Sequence, residues 1–476
     1  MAEPSLKRQT FHGVLWRIAE VGGTHIIQLV IGIVLARLIM PEQFAEIAML
    51  TIFLAVAQTF INSGFATALM RKNNRTQVDC CTVFYFNIVI AIISYIVLFF
   101  LAPFVADFYN LQELEPILRV SSITLVIGST VGVHRTLFQA NMDFKSLTKY
   151  NILALLVSGG VGMFMAYKGF QVWALVAQSI VSCLISTVCM WYASVWRPSW
   201  MFSWVSLKEF FGFGSKLLAS GLLGTVYNNM YSVLIGKFFP HADLAYYNRA
   251  SGLTSITSTT PTNVLQSVTF PALCKLQDND EALRVGYRKM LQVSAFVIFP
   301  LCLGIGAVSY PLINVLYTKV WIYAATLLQI IVFSGMWYPI HSINLNLLQV
   351  KGRSDLFFRL EVIKKVICVI MLCVTIPIGL EAMCYGGIVS SIICLIINTH
   401  YTGKLLNLGF FTQMKDIMPS LALSLAMFAA CKALSTALGD GILSLSASIL
   451  AGVIIYVGGA YVFRLRELQI IRNIRK

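Results

Sequence analysis

The chain has 476 residues, of which 58% are hydrophobic and only 12% are charged, with a formal net charge of +15 and a mean hydropathy of +0.78. A soluble domain needs about 25% charged residues to cover its surface, so this composition excludes an ordinary soluble fold. The bilayer must be the solvent of this protein. The basic residues sit in short loops between apolar segments, so membrane topology explains them and no nucleic acid is expected as a partner.

The apolar segments predict an all-α integral membrane protein with about fourteen transmembrane helices. A helix that spans the bilayer needs about 20 mostly apolar residues. No connection between these segments is long enough to form a domain, so the function must lie in the membrane or at its faces. In chain order the segments are 12–39, 44–68, 81–104, 116–140, 148–167, 171–195, 211–238, 250–272, 290–316, 321–349, 358–379, 383–403, 416–436 and 441–463.

The distribution of basic residues predicts the orientation. An even number of spans places both termini on one side of the membrane. If that side is the cytoplasm, most of the 35 Lys and Arg residues fall in cytoplasmic loops or in the C-terminal tail, as the positive-inside rule requires. The first apolar run is too long for a cleaved signal peptide, and we expect it to be retained as a helix.

An internal repeat divides the chain. Its matches predict two six-helix lobes, 1–205 and 206–405, followed by 406–476, which holds helices 13 and 14 and a basic cytoplasmic tail. Because six is even, both lobes have the same orientation, as in transporters with parallel repeats, which carry the substrate path between the halves. The matched stretches, spaced by about 200 residues, are 34–48 with 234–247, 102–109 with 310–317, and 137–144 with 347–354.

Helix 1 carries polar residues that hydrocarbon does not tolerate without a reason. Arg17, Glu20, Thr24 and Gln28 follow the spacing i, i+3, i+7 and i+11, which places them on one helix face. Charged residues inside membrane segments usually face a cavity or one another. Glu20 either neutralises Arg17 or takes up a proton.

Helix 7 repeats this pattern with Lys216 at the position that corresponds to Arg17, on a stripe that includes Asn228. Equivalent cations in the two lobes predict a shared, hydrated, cationic cavity. The alternative is that Arg17 and Lys216 snorkel to the cytoplasmic interface, because each lies close to a helix end. Arg249 begins helix 8 and has no cationic counterpart in helix 2, so it is either an outer-interface anchor or a second anion contact.

The sequence contains no motif of a known catalytic or nucleotide-driven chemistry. The patterns GxxxxGK[ST], HExxH and GxSxG do not occur, and the 11 scattered cysteines match no zinc or disulfide spacing. We therefore expect no catalytic residues, no metal site and no bound cofactor. A membrane polymerase or glycosyltransferase would show a sizeable outer loop carrying acids, and the predicted outer loops are short.

The opening of the chain resembles bacterial polysaccharide flippases of the Wzx and teichuronic-acid-exporter type. Members of that family begin with a basic N-terminus, a GxxW stretch and an LARLLxPExFG motif, and Ala45 stands here where Gly is common. The second lobe carries the companion pattern LIGKFF…LAYYNRA, which includes Arg249. The motif positions are filled by Gly13, Trp16, Leu35, Ala36, Arg37, Leu38, Pro41, Glu42 and Phe44.

The resemblance implies the fold of the multidrug/oligosaccharidyl-lipid/polysaccharide exporter superfamily, with two six-helix lobes in a V and helices 1, 2, 7 and 8 lining the cavity. It also implies a bacterial inner membrane location and an undecaprenyl-diphosphate-linked oligosaccharide as cargo. The related lipid II flippases carry a similar Tyr-Tyr-x-x-Arg stretch on helix 8, whose arginine is a cavity residue. Arg249 lies in the matching stretch, with one residue fewer between the tyrosines and the arginine.

These implications define the expected site. Arg17 and Lys216 would capture the diphosphate from the cytoplasmic side, and Arg249 would hold it when the site opens outward. Glu20, Thr24, Gln28 and Asn228 would line the cavity and could serve coupling to a proton or a sodium ion. A polysaccharide polymerase and a chain-length regulator are candidate partners, beside the bilayer itself. The rival functions are a cation-coupled drug antiporter of the same superfamily and a membrane polysaccharide polymerase or glycosyltransferase.

Overall fold

The computed structural model describes the backbone of residues 6–62, 64–72, 74–141 and 143–468. Side chains are described from residue 22 onward, apart from those of Arg71, Phe213, Lys216, Ser267, Val268 and Ser354. The described chain is helical and contains no strand, and a short 3-10 helix covers Lys319–Trp321. The α-helices are α1 Leu6–Leu38, α2 Pro41–Asn62, α3 Phe65–Arg71, α4 Gln77–Tyr109, α5 Leu114–Ser121, α6 Ile123–Ser129, α7 Gly132–Ala140, α8 Phe144–Tyr167, α9 Val172–Ala193, α10 Trp204–Phe238, α11 His241–Thr257, α12 Thr259–Cys274, α13 Asp280–Ala307, α14 Ser309–Leu316, α15 Ile322–Gly335, α16 Tyr338–Val350, α17 Ser354–Thr375, α18 Leu380–Leu406, α19 Phe410–Leu438 and α20 Ile442–Val462.

The predicted all-α membrane fold is confirmed. Each of the fourteen predicted segments coincides with one helix or with consecutive short helices. Among the described residues, nine helices are long and apolar enough to cross a membrane, and the bent pair Leu114–Ser129 and Gly132–Ala140, with an angle of 45°, makes a tenth. The count of fourteen spans stays a prediction.

Packing divides the chain into two compact units, Met1–Ala245 and Tyr246–Lys476. The repeat placed the boundary at 205/206 instead, within the first turn of α10, and the predicted lobes stay a prediction. Both halves nevertheless use the same local geometry. Helices α1 and α10 begin the two halves of the repeat, and two residues separate each of them from the next helix. Pro41 starts the helix after the first turn, and Pro240 lies in the second turn.

One repeat pair differs in its backbone. The stretch 102–109 continues α4 without interruption, although it contains Pro103. Its partner, 310–317, lies in a separate helix, because α13 ends at Ala307 and α14 begins only after Val308. The second half therefore breaks a helix that the first half keeps continuous.

The first unit is held by a close approach between α1 and α8. A Cβ atom added to Gly159 of α8 would lie 2.3 Å from Cδ1 and 2.8 Å from Cγ1 of Ile31, so only glycine fits at this contact. Small residues allow membrane helices to approach closely. Such packing matters because lipid provides no hydrophobic driving force for helix association. Ile31 and Leu35 are buried in the cluster that surrounds this crossing.

The N-terminal end of α4 is fixed by a cap and an ion-pair network. Thr76 and Asp79 form a capping box at the start of the helix. Lys72 lies 3.1 Å from Asp79 and 3.1 Å from Glu209 of α10, and it thereby connects three helices of this unit. Partial burial alone would lower the pKa of Lys72, but the hydrogen bonds to Glu209 and Asp79 outweigh it and raise the pKa above its ordinary value.

The second unit contains a buried polar network that joins four helices. Asn344 of α16 donates to Gln413 of α19 at 3.0 Å and accepts from Thr402 of α18 at 2.6 Å, and Tyr287 of α13 donates to Gln413 at 3.4 Å. Nearby, Arg288 binds Asp416 through a two-pronged ion pair. Asn344 thus joins α16 to α18 and α19.

The Gly159 contact yields a prediction for stability. We expect Gly159→Leu to lower the unfolding free energy of the detergent-solubilised protein by about 1–3 kcal/mol, because the new side chain overlaps Ile31. The matched control is Gly160→Leu, since a Cβ atom there meets nothing within 4 Å. The thermal unfolding midpoints of the two variants check this, and equal midpoints would contradict the assigned packing.

Candidate functional site

The polar stripe of α1 lies on a continuous helix, as predicted. The side chains of Arg17 and Glu20 lie outside the described residues. Thr24 is half-buried, and its hydroxyl oxygen is enclosed without a hydrogen-bond partner, whereas Gln28 is exposed. Seven residues bring a helix back to nearly the same face, so Thr24 and the packed Ile31 share one side of α1. Thr24, in the described part of the stripe, is therefore partly covered by other helices of the first unit.

The corresponding helix α10 presents a more open face. It packs on α2 through Thr225, whose hydroxyl oxygen lies 3.0 Å from that of Thr59, and through Gly221. Asn228 is exposed, and a Cβ atom on Gly224 would meet nothing within 4 Å. The side chain of Lys216 lies outside the described residues. Asn228 and Gly224 thus lie away from the contact between α10 and α2.

Arg249 lies in a cluster of aromatic rings within the second unit. Its guanidinium carbon is 4.9 Å from the ring centre of Tyr317 and 5.2 Å from that of Trp321. Tyr246, one turn earlier on α11, meets Trp321 and Tyr323 edge-on at 5.9 and 5.7 Å. We call these five residues the Arg249 cluster. A cation over an aromatic face gains about 0.5–2 kcal/mol, more when it is desolvated.

The geometry of this cluster orients the guanidinium. Tyr317 and Trp321 are both almost completely buried and cannot easily move. Arg249 also forms a hydrogen bond with Tyr317, so the two rings and this bond together fix the position of the guanidinium. The role of Arg249 toward an anion stays a prediction.

The sequence missed a buried acid. Glu46 of α2 is only 6% exposed, and its Oε2 is buried without a hydrogen-bond partner. It lies little more than one turn after Pro41, the first residue of the helix. The helical spacing could have indicated this burial, because Glu46 lies on the same face of α2 as the buried residues Ala45 and Met49.

No group of three or more His, Cys, Asp or Glu side chains in the described part of the chain is arranged to hold a metal ion. The charged residues that the structure brings together outside the predicted stripes are instead paired with one another. Arg119 binds Glu115, Lys364 binds Glu361 and Arg353 binds Asp355.

Comparison with known proteins identifies the family of the chain. The pattern of a family described as "Polysaccharide biosynthesis protein" matches residues 34–326, more than half of the sequence. The chain belongs to this family. The family resemblance noted in the helix 1 and helix 8 motifs is thereby confirmed.

Named relatives share about a quarter of their residues with the chain. The teichuronic acid biosynthesis protein TuaB of Bacillus subtilis is 26% identical over 360 residues, 75% of this chain and 74% of TuaB. The lipopolysaccharide biosynthesis protein WzxC of Escherichia coli is 24% identical over 425 residues, 87% of this chain and 83% of WzxC. The succinoglycan biosynthesis transport protein ExoT of Rhizobium meliloti is 22% identical over 332 residues, 70% of this chain and 67% of ExoT.

Solved structures share the fold. The lipid II flippase MurJ, in an inward closed conformation, has a TM-score of 0.75 at 15% identity, with 95% of this chain and 99% of MurJ covered. An inward-facing multidrug resistance MATE family transporter of the MOP superfamily has a TM-score of 0.63 at 14% identity, with 81% and 94% covered. At these identities the likeness concerns the fold alone.

Glu46 yields a prediction. An enclosed carboxyl oxygen without a partner costs about 1–3 kcal/mol, so we expect Glu46→Leu to raise the unfolding free energy of the solubilised protein by at least about 1 kcal/mol. The control is Glu42→Leu, because Glu42 is exposed on the preceding turn and should change stability by less than about 0.5 kcal/mol. Thermal unfolding is the measurement, and a destabilised Glu46→Leu would show that the carboxyl has a stabilising partner.

Proposed function

We propose that this protein moves an undecaprenyl-diphosphate-linked oligosaccharide from the cytoplasmic to the periplasmic leaflet of the bacterial inner membrane, with both termini in the cytoplasm. The observation that carries this proposal is family membership over residues 34–326, combined with a multi-pass helical fold that matches a lipid II flippase along almost its whole length. Relatives whose names specify teichuronic acid, lipopolysaccharide and succinoglycan biosynthesis support a glycan cargo.

The chemistry of the cargo explains the cations. A diphosphate is a strong anion, and Arg and Lys bind it with charge-assisted hydrogen bonds that are strongest away from water. Arg17 and Lys216 would receive the diphosphate on the cytoplasmic side, and Arg249, held by Tyr317 and Trp321, would contact it on the opposite side. The lipid tail can remain in hydrocarbon while the polar head crosses, so the transport path needs a lateral opening.

We propose alternating access for this movement, with the two lobes rocking as in other transporters built from parallel repeats. Glu20, Thr24, Gln28 and Asn228 would line the path, and Glu20 would pair with Arg17 or couple transport to a proton or a sodium ion. No step requires covalent chemistry, so the protein acts as a transporter and not as an enzyme. A polymerase and a chain-length regulator would receive the exported unit.

The rival within the fold is a drug antiporter, since multidrug transporters are structural neighbours. An antiporter for cationic drugs needs acids in its cavity. The residues assigned here to the path contain one acid, Glu20, and three cations, Arg17, Lys216 and Arg249. The named relatives also belong to glycan biosynthesis, which favours the lipid-linked cargo.

A genetic experiment tests the function. We expect deletion of the gene to leave lipid-linked oligosaccharide on the cytoplasmic leaflet and to remove the surface polysaccharide. Restoration of export by the wild-type gene is the reference. Unchanged export after deletion, in a strain with no second exporter, would overturn the proposal.

Three variants test the site in the same strain. Arg17→Ala, Lys216→Ala and Arg249→Ala should each lower surface polysaccharide at least about tenfold, since one lost phosphate contact of about 1.4 kcal/mol reduces binding tenfold. Immunoblots of the membrane fraction must show normal insertion. Lys168→Ala is the control, because Lys168 is exposed outside the predicted path. Full export by all three variants would exclude the cationic site.

A further inference from the structure

The first unit contains a long apolar groove between α2 and α4, with Val233 of α10 at one edge. Its volume is about 710 Å³, within the range of pockets that hold small-molecule ligands. We call it the α2/α4 groove. Its lining includes Phe53, Phe60, Val97 and Phe108, and Ser94 carries the only polar side chain among the lining residues.

The groove is shaped as a trough that opens toward lipid. Ala57, Leu98 and Val105 form a buried floor, whereas Phe104 is 70% exposed and Val97 is 56% exposed at the rim. Its lining residues on α4 extend from Ile90 to Phe108, which corresponds to about 27 Å along the helix. The predicted span on this helix is 81–104, so the trough starts near the middle of the bilayer at Ile90 and runs past the outer end of the span to Phe108.

A cation lies at one end of the trough. Lys237, in the last turn of α10, donates a hydrogen bond from Nζ to the main-chain oxygen of Phe108 and lies 4.7 Å from the centre of the Phe108 ring. Within the described part of the chain, Lys237 forms no ion pair with a carboxylate. The orientation predicted from the basic residues places this end at the periplasmic face.

We propose that the α2/α4 groove binds the polyprenyl chain of the transported lipid, with Lys237 contacting its phosphate at the periplasmic face. This inference rests on the proposed function and assigns the groove to the product, after the head group has crossed. The periplasmic end carries the cation, and the long apolar wall receives the tail.

The length of the trough selects the ligand. One acyl chain of a phospholipid occupies one leaflet, about half of the 30 Å core, and a phospholipid brings two such chains. The α4 wall is about 27 Å long and the α2 wall, from Ile52 to Phe60, about 12 Å, so the groove fits one chain that reaches the midplane along α4, as a polyprenyl chain can. Each buried CH₂ group contributes about 0.8 kcal/mol when the alternative is water, but lipid is the competitor here, so shape and the Lys237 contact must supply the preference.

The experiment measures binding of undecaprenyl phosphate to the full-length protein in nanodiscs, by native mass spectrometry. Ser94→Phe fills the groove from its half-buried wall, and Ile96→Phe is the control because Ile96 is a lipid-facing α4 residue outside the lining. Lys237→Gln removes the cation, and Lys168→Gln is its control. We expect Ser94→Phe and Lys237→Gln each to weaken binding about tenfold, whereas both controls bind as the wild type does.

Two results would overturn the proposal. One is equal binding by all variants, and the other is displacement of undecaprenyl phosphate by phosphatidylglycerol at equal concentration, which would show an ordinary lipid site. Failure of the groove is distinguishable from failure of the function. If gene deletion abolishes export but the groove variants bind the lipid as the wild type does, the groove proposal alone is refuted. If binding depends on Lys237 but gene deletion leaves export unchanged, the proposed function alone is refuted.

Discussion

A charge costs about 3 kcal/mol at the centre of a membrane helix, and this cost governs where the chain keeps its ionisable side chains. Several described cations within or near a span have a partner that lowers this cost. Arg288 has the carboxylate of Asp416, Arg249 has the rings of Tyr317 and Trp321, and Lys237 has a main-chain oxygen and the Phe108 ring.

The kind of partner separates structural charges from charges that can serve a ligand. A carboxylate neutralises its cation, so the Arg288–Asp416 pair fixes α13 to α19 and offers little to an anion. Aromatic rings and carbonyl oxygens position a cation while its net charge remains. Lys237 is held in this second way, and Arg249 packs against two rings. The orientation rule assigns both residues to the periplasmic end of the spans.

The sequence predicted the helices well because one physical constraint determines them. In hydrocarbon every main-chain polar group must be satisfied internally, so an apolar run of sufficient length has to become a helix. Local interruptions were harder to predict. Gly64 ends the α2 segment with φ 71°, and Val308 separates α13 from α14 although its neighbours are as apolar as those of the unbroken α4.

The site could be predicted only as far as helical spacing reaches. The stripes that contain Arg17 and Lys216 follow from positions along single helices. The rings that hold Arg249 come from residues about 70 positions later in the sequence, and the contact between Lys237 and Phe108 joins α10 to α4, so neither follows from local pattern. Glu46 was missed because its depth depends on what packs against α2 and not on its distance from the helix start.

The central claim is that this chain itself carries a lipid-linked diphosphate sugar across the bilayer. The most direct measurement is a transport assay with the purified protein in liposomes. A labelled undecaprenyl-diphosphate oligosaccharide is placed in the inner leaflet, and a membrane-impermeant glycosidase is added outside. We predict that the wild-type protein makes the protected pool accessible to the glycosidase, and that Arg249→Ala slows this strongly while Lys168→Ala does not. A pool that stays protected with wild-type protein, under every ion gradient and membrane potential applied, would contradict the account.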